Sequence, residues 1–169
     1  RRTSRALSKF RYGPGAFKVD FAVQGGVPWR NPYAGRAGTV HLGGDLGEIA
    51  ATERDIHAGR MPARPFVLVG QQYLADPGRS VGDIHPVYSY AHVPHGFTGD
   101  ATEAITAQIE RFAPGFRSRI RATSVTSTGD FASGNPNYAG GDVIGGSNGG
   151  LQVVLRPRPA IDPYATGIE

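Results

Sequence analysis

The chain has 169 residues, 39% of them apolar and 19% charged, with a net charge of +4 and no cysteine. That length and balance suit one globular domain with a core of its own and exclude a disordered chain. The lack of cysteine excludes disulfides, thiolate metal centres and a cysteine nucleophile. No apolar run approaches the roughly 20 residues of a spanning helix.

There is no leader with a charged start and an apolar middle, so a cytoplasmic location is expected, with association at a membrane surface left open. Arg1, Arg2 and Arg5 cluster at the start, while the remaining cations are spread out. No nucleic-acid motif accompanies the charge, so a solvated basic surface is expected and a nucleic-acid partner is not. The start at Arg1-Arg2-Thr3 and the stop at Ile168-Glu169 read as the edges of a segment cut from a longer protein. Surfaces that face removed parts would then carry an apolar patch and promote self-association.

Taken in order, Tyr12-Gly13-Pro14-Gly15 is a turn signal. From Ala16 to Val23, Phe17, Val19, Phe21 and Val23 alternate with polar positions, the pattern of a half-buried strand. Residues 25–36 read as a loop around Trp29, the only tryptophan, and Thr39 to Leu42 as a short strand. Asp45 to Ala58 predicts a helix: Asp45 can cap it, Glu48 stands three residues on, and Gly59 ends it. Its expected inner face is Leu46, Ile49, Ala50 and Ile56. Phe66 to Val69 predicts a central strand, and Asp76-Pro77-Gly78 a turn. Pro86 to Val93 predicts a strand with Val87, Ala91 and Val93 on one face and Tyr88, Tyr90 and His92 on the other. Asp100 to Phe112 predicts a helix capped by Asp100, with Ala101, Ile105, Ile109 and Phe112 inward and Pro114-Gly115 as its stop. Ile120 to Thr126 predicts a strand. After Gly129 mainly loop is expected, with a short apolar segment at Leu151 to Leu155. Strands and helices do not alternate regularly. The expected fold is therefore α+β: a mixed, largely antiparallel sheet with helices packed on one face.

The densest glycine cluster spans Gly140 to Gly150. As a phosphate loop it fails, because Gly146 stands where the lysine must be. The dinucleotide fingerprint G-x-G-x-x-G is also missing: the sole G-x-G, Gly13-Pro14-Gly15, has Lys18 at the third glycine position. Gly145-Gly146-Ser147-Asn148-Gly149 matches the nucleophile elbow G-x-S-x-G. Asp162 and Glu169 follow Ser147, but all five histidines precede it, against the order that fold requires. His92, His95 and His85 lack the spacing of a metal motif, so no metal is expected. Tyr88, Tyr90 and His92 suit the wall of a channel for a long apolar or conjugated ligand. They equally suit a sheet face packed under a helix.

Nine ordered stretches resemble one family. They begin with Tyr12 to Asp20, Val27-Pro28-Trp29, His41-Leu42-Gly43-Gly44 and Asp76-Pro77-Gly78-Arg79. His92-Val93-Pro94-His95-Gly96 and Gln108 to Phe116 come next, then Asn135-Pro136-Asn137, Gly140-Gly141-Asp142 and Arg156-Pro157-Arg158. The set is similar to the phytoene dehydrogenase-like FAD-dependent oxidoreductases, relatives of carotenoid desaturases and isomerases. Members of that family are longer and bind FAD through a G-x-G-x-x-G turn in a part this chain lacks; the stretch from Tyr164 to Glu169 is similar to the approach to their second flavin motif. The resemblance implies a substrate-binding domain over residues 1–135. Residues 136–169 would then be a glycine-rich segment leading back toward an FAD-binding domain. It implies a hydrophobic, isoprenoid-type substrate met by Tyr88, Tyr90, His92 and Trp29, and a segment, including Gly145, Gly146, Ser147, Asn148 and Gln152, lying close to flavin. Such a chain would not be catalytic alone, because the isoalloxazine carries the electrons. Two other readings stay open: a non-enzymatic module for an apolar ligand or a protein partner, and a serine hydrolase using Ser147.

Overall fold

A computed structural model describes residues 2–165. The chain begins with helix α1 (Arg2–Leu7) and strand β1 (Gly15–Gln24), then β2 (Thr39–Leu42), helix α2 (Leu46–His57), β3 (Val67–Gly70) and β4 (Ile84–Val93). Helices α3 (Thr102–Phe112) and α4 (Phe116–Arg119), strand β5 (Ile120–Thr126), and helices α5 (Thr128–Gly134) and α6 (Gln152–Leu155) complete it. The five strands form one sheet in the order β2-β3-β4-β1-β5, and every pairing is antiparallel. The fold is α+β, without the parallel pair that a mixed sheet would carry.

Alternation in the strands decides which face is core. Phe17, Val19, Phe21 and Val23 of β1 point inward with Val67 and Val69 of β3 and with Val87, Ser89, Ala91 and Val93 of β4. Against them lie Ala101 and Ile105, Ile109 and Ala113 along α3, and Phe116 of α4, all fully buried. The fully buried polar residue of β4, Ser89, donates its hydroxyl to the Val19 carbonyl at 2.8 Å and so is not left unpaired. Phe116 meets Phe21 edge to face, with centroids 5.2 Å apart.

Local chemistry starts and stops the helices. Asp45 caps α2, accepting from the Glu48 N–H at 2.8 Å, and Glu48 reaches back to the Asp45 N–H. Its expected inner face is only partly right. Leu46, in the first turn, is 83% exposed, while Thr52 and Ile56 are the buried residues. Thr52 is held there by donating to the Arg64 carbonyl at 2.9 Å. Helix α3 starts later than expected, at Thr102. Asp100 accepts the Thr102 N–H at 2.8 Å from outside the helix, and Glu103 turns away to pair with Arg117 instead of closing a capping box. Gly115 takes φ +91°, a left-handed turn that costs glycine nothing, and lets α4 follow at once. Residues after Gly129 are not all loop, because Ser127 and Asp130 form a second capping box that starts α5.

Residues 136–165 fold back onto the start of the chain. Gly13 donates its N–H to Asp142 at 2.6 Å, Ser147 to the Arg11 carbonyl at 2.9 Å, and Gln152 both accepts from and donates to the Arg11 backbone.

Candidate functional site

The outward residues of β4 form a continuous row. Tyr88 and Tyr90 have ring centroids 5.9 Å apart, and Tyr90 and His92 6.0 Å. Register brings β1 alongside: Asp20 pairs with Tyr88, Lys18 with Tyr90, and Ala16 with His92. Leu68 of β3 flanks Tyr90 on the other side. The Lys18 ammonium stands 5.2 Å above the Tyr88 ring and also pairs with Asp20. Tyr88, Tyr90 and His92 are each half-buried in the outer face of the sheet. From α2, Glu53 approaches His92 at 4.0 Å. Burial, aided by neighbouring Tyr90 and Asp20, pushes the Tyr88 phenol above its usual value, so it stays neutral and can donate a hydrogen bond. The row offers flat apolar area, two donor phenols and one neutralised charge pair. It suits contact with an extended apolar molecule.

Trp29 is not part of that wall. It packs against the core on the opposite face of the sheet. Its indole N–H donates to Gln71 at 2.9 Å, and the fully buried Gln71 amide donates to the carbonyls of Ala34 and Ala37 at 2.9 and 2.7 Å. Trp29, His41 and Phe112 line a separate cleft of about 360 Å³ at the β2 edge.

The glycine cluster is organised around Asp142. This fully buried carboxylate accepts four backbone N–H groups: Gly13 at 2.6 Å, Ile144 at 2.9 Å, Gly145 at 3.1 Å and Gly146 at 2.8 Å. A glycine-rich loop that concentrates N–H groups on an anion is a known device, and here the anion is a side chain of the chain itself. Ser147 and Gln152 are engaged with Arg11, and Asn148 accepts from Arg156 at 3.0 Å. The loop also seats a histidine. His95 lies against the Gly140 backbone where a Cβ would overlap its ring, stacks on Tyr12 at 5.9 Å, and has Nδ1 3.0 Å from the Gly13 carbonyl. A carbonyl only accepts, so Nδ1 is the donor in this bond.

Tyr12, His57, His95 and Ser147 therefore share one small cleft of about 140 Å³. The structure brings together a serine and two histidines that precede it by far in the chain. They do not form a catalytic triad: the Ser147 hydroxyl accepts from the Gly149 N–H at 3.2 Å, and no hydrogen bond joins it to a histidine among the described residues. Asp162 accepts the N–H groups of Tyr164 and Ala165 in a turn, and Glu169 lies outside the described residues.

The histidines are also dispersed with respect to metal binding. His85 meets Ser80 at 2.8 Å and stacks on Tyr73, His92 faces Glu53, and His95 faces Gly13. No group of three or more potential metal ligands forms among the described residues.

The expected site residues thus fall in three places: the outer sheet face, the Trp29 cleft and the glycine loop. Lys18 and Asp142 were missed as members of these arrangements. Alternation in β1 places Lys18 on the outer face, but its pairing with β4 has no local signal, and Asp142 sits in a cluster whose glycines draw the attention. No protein-family model matches the chain, and no curated protein matches it. No described helix is long and apolar enough to cross a membrane.

Proposed function

We propose that this chain is the substrate-binding region of an FAD-dependent oxidoreductase of the phytoene dehydrogenase-like class, acting on a hydrophobic, isoprenoid-type substrate. The observation that carries the reading is the row Tyr88, Tyr90 and His92, half-buried side by side on the outer sheet face. Side by side, such rings offer a long apolar molecule a continuous surface, and their polar tips prevent the face from collapsing onto another sheet. The ordered stretches that resemble the family agree with it.

The glycine loop limits what this chain can offer the cofactor. The N–H groups of Gly145 and Gly146 are taken by Asp142, and those of Ser147 and the Gln152 amide by Arg11. These residues do not fit FAD as a donor set. They give at most a side-chain-poor wall, and FAD would be held by the part of the parent protein outside this chain.

Two measurements test the reading. The parent protein carrying this chain is expected to purify yellow, while the chain alone is colourless; a parent that takes up no flavin on reconstitution overturns it. On the chain alone, a conjugated polyene is expected to quench tyrosine and tryptophan fluorescence saturably. The double substitution Tyr88→Ala and Tyr90→Ala should weaken that binding about tenfold or more, two buried ring contacts being removed. Unchanged affinity removes the row from the site.

A further inference from the structure

Positive charge is unevenly placed in this chain. The first eleven residues hold five of the 18 lysines and arginines and no carboxylate. The rest of the chain has thirteen cations against fourteen carboxylates, so the protein's net positive charge resides on its first eleven residues. Elsewhere five of the twelve arginines pair with a carboxylate: Arg60 with Asp55, Arg64 and Arg111 with Glu48, Arg79 with Asp76, Arg117 with Glu103. Arg5, Lys9 and Arg11 have no carboxylate partner among the described residues.

The same region gathers exposed apolar side chains. Of the fifteen large apolar residues exposed among those described, eight lie in residues 7–12 and 151–164. Leu151 is 76% exposed, Val154 77% and Tyr164 75%, and α6 buries none of its residues. The two sets are adjacent. Arg5 and Lys9 line a groove of about 550 Å³ together with Phe10, Leu151, Leu155 and Arg158. The nearest acid in sequence, Asp162, is occupied as the cap of a turn.

Unpaired cations beside exposed aliphatic and tyrosine side chains are the two signals a peripheral protein uses on an anionic bilayer: attraction to headgroups and shallow burial of apolar groups. We propose that the face built from α1, residues 8–11, α6 and residues 156–164 docks on an anionic lipid surface. This inference rests on the charge and exposure of the chain itself, not on the flavoprotein reading.

The test is co-sedimentation of the chain with vesicles of phosphatidylglycerol and phosphatidylcholine, against vesicles of phosphatidylcholine alone, at low and high salt. Binding is expected to the anionic vesicles only and to fall steeply with salt, since exposed charges are screened. Reversing two face cations, Arg5→Glu with Lys9→Glu, should reduce partitioning at least tenfold. The same charge change elsewhere, Arg60→Glu with Arg79→Glu, should leave most of it. Leu151→Ser with Val154→Ser, which touches no buried residue, should weaken binding while unfolding stays unchanged. Binding that ignores lipid charge and salt overturns the proposal, as does equal loss from both charge reversals. So does a dimer in light scattering that Leu151→Ser with Val154→Ser abolishes without any vesicle binding, since the face would then belong to a second copy of the chain.

Discussion

At Asp142 a buried carboxylate takes four N–H groups from the backbone around it, one of them from Gly13 at the far end of the chain. Hydrogen bonds to a charged acceptor are the strong kind, and leaving buried donors unmet costs more than the bonds give. Asp142→Asn keeps the shape but turns an amide NH₂ toward donors. It should destabilise the protein by about 2–4 kcal/mol, read as a clear fall in the urea midpoint. Asp162→Asn, in an exposed turn, should change it little. Gly140 makes a second point at this scale. It has φ +61° and lies flush against the His95 ring, so Gly140→Ala combines an unfavourable backbone with an overlap. A loss of roughly 1–3 kcal/mol is expected, together with a shifted His95 ring resonance in NMR; an unmoved resonance would remove the seat from the description. The glycines were visible in the sequence as a cluster. What they surround was not, because Asp142 meets Gly13 across a separation of 129 residues.

At the scale of elements, Glu48 ties α2 to α3 and to the loop before β3. It closes the capping box of α2, accepts from Arg64 at 3.0 Å, and takes two bonds from Arg111 of α3 at 3.0 and 2.9 Å. The guanidinium of Arg111 first, then that of Arg64, lower its pKa from the ordinary 4.5 to about 2. A carboxylate depressed in the folded state contributes stability in full above its unfolded pKa and loses it as pH falls through the folded one. The melting temperature is therefore expected to hold above pH 4.5 and drop between there and pH 2. Glu103, Glu110, Asp100 and Asp130 are lowered too, by Arg117, by backbone N–H groups of Arg117 and Gly115, by Thr102 and by Ser127 in turn. Glu48→Gln should thus flatten only part of the slope, and an unaltered slope would deny Glu48 its share. Ser127→Ala should cost about 1 kcal/mol through loss of the α5 cap. That cap was legible in principle, since Ser127 and Asp130 have capping-box spacing; the glycines that follow obscured it. Leu46 shows the reverse: its apolar character is plain in sequence, yet its place in the first turn leaves it in solvent.

At the scale of the molecule, the antiparallel sheet has one face closed by α3 and α4 and another that stays half open. The open face carries the aromatic row, and the chain's beginning and its last described residues meet at a basic, apolar groove beside the glycine loop. The two alternating strands, the two main helices and the cap of α2 were readable from sequence because period and cap chemistry are properties of neighbouring residues. So was the split of β4 into an apolar side and a side of Tyr88, Tyr90 and His92. Tertiary structure alone decided the rest: the order β2-β3-β4-β1-β5, the arrival of Lys18 and Asp20 beside the tyrosines, the removal of Trp29 to the other face, and the capture of the loop donors by Asp142. These depend on contacts between distant segments, made only once burying the core has brought the segments together, and such contacts leave no periodic trace along the chain.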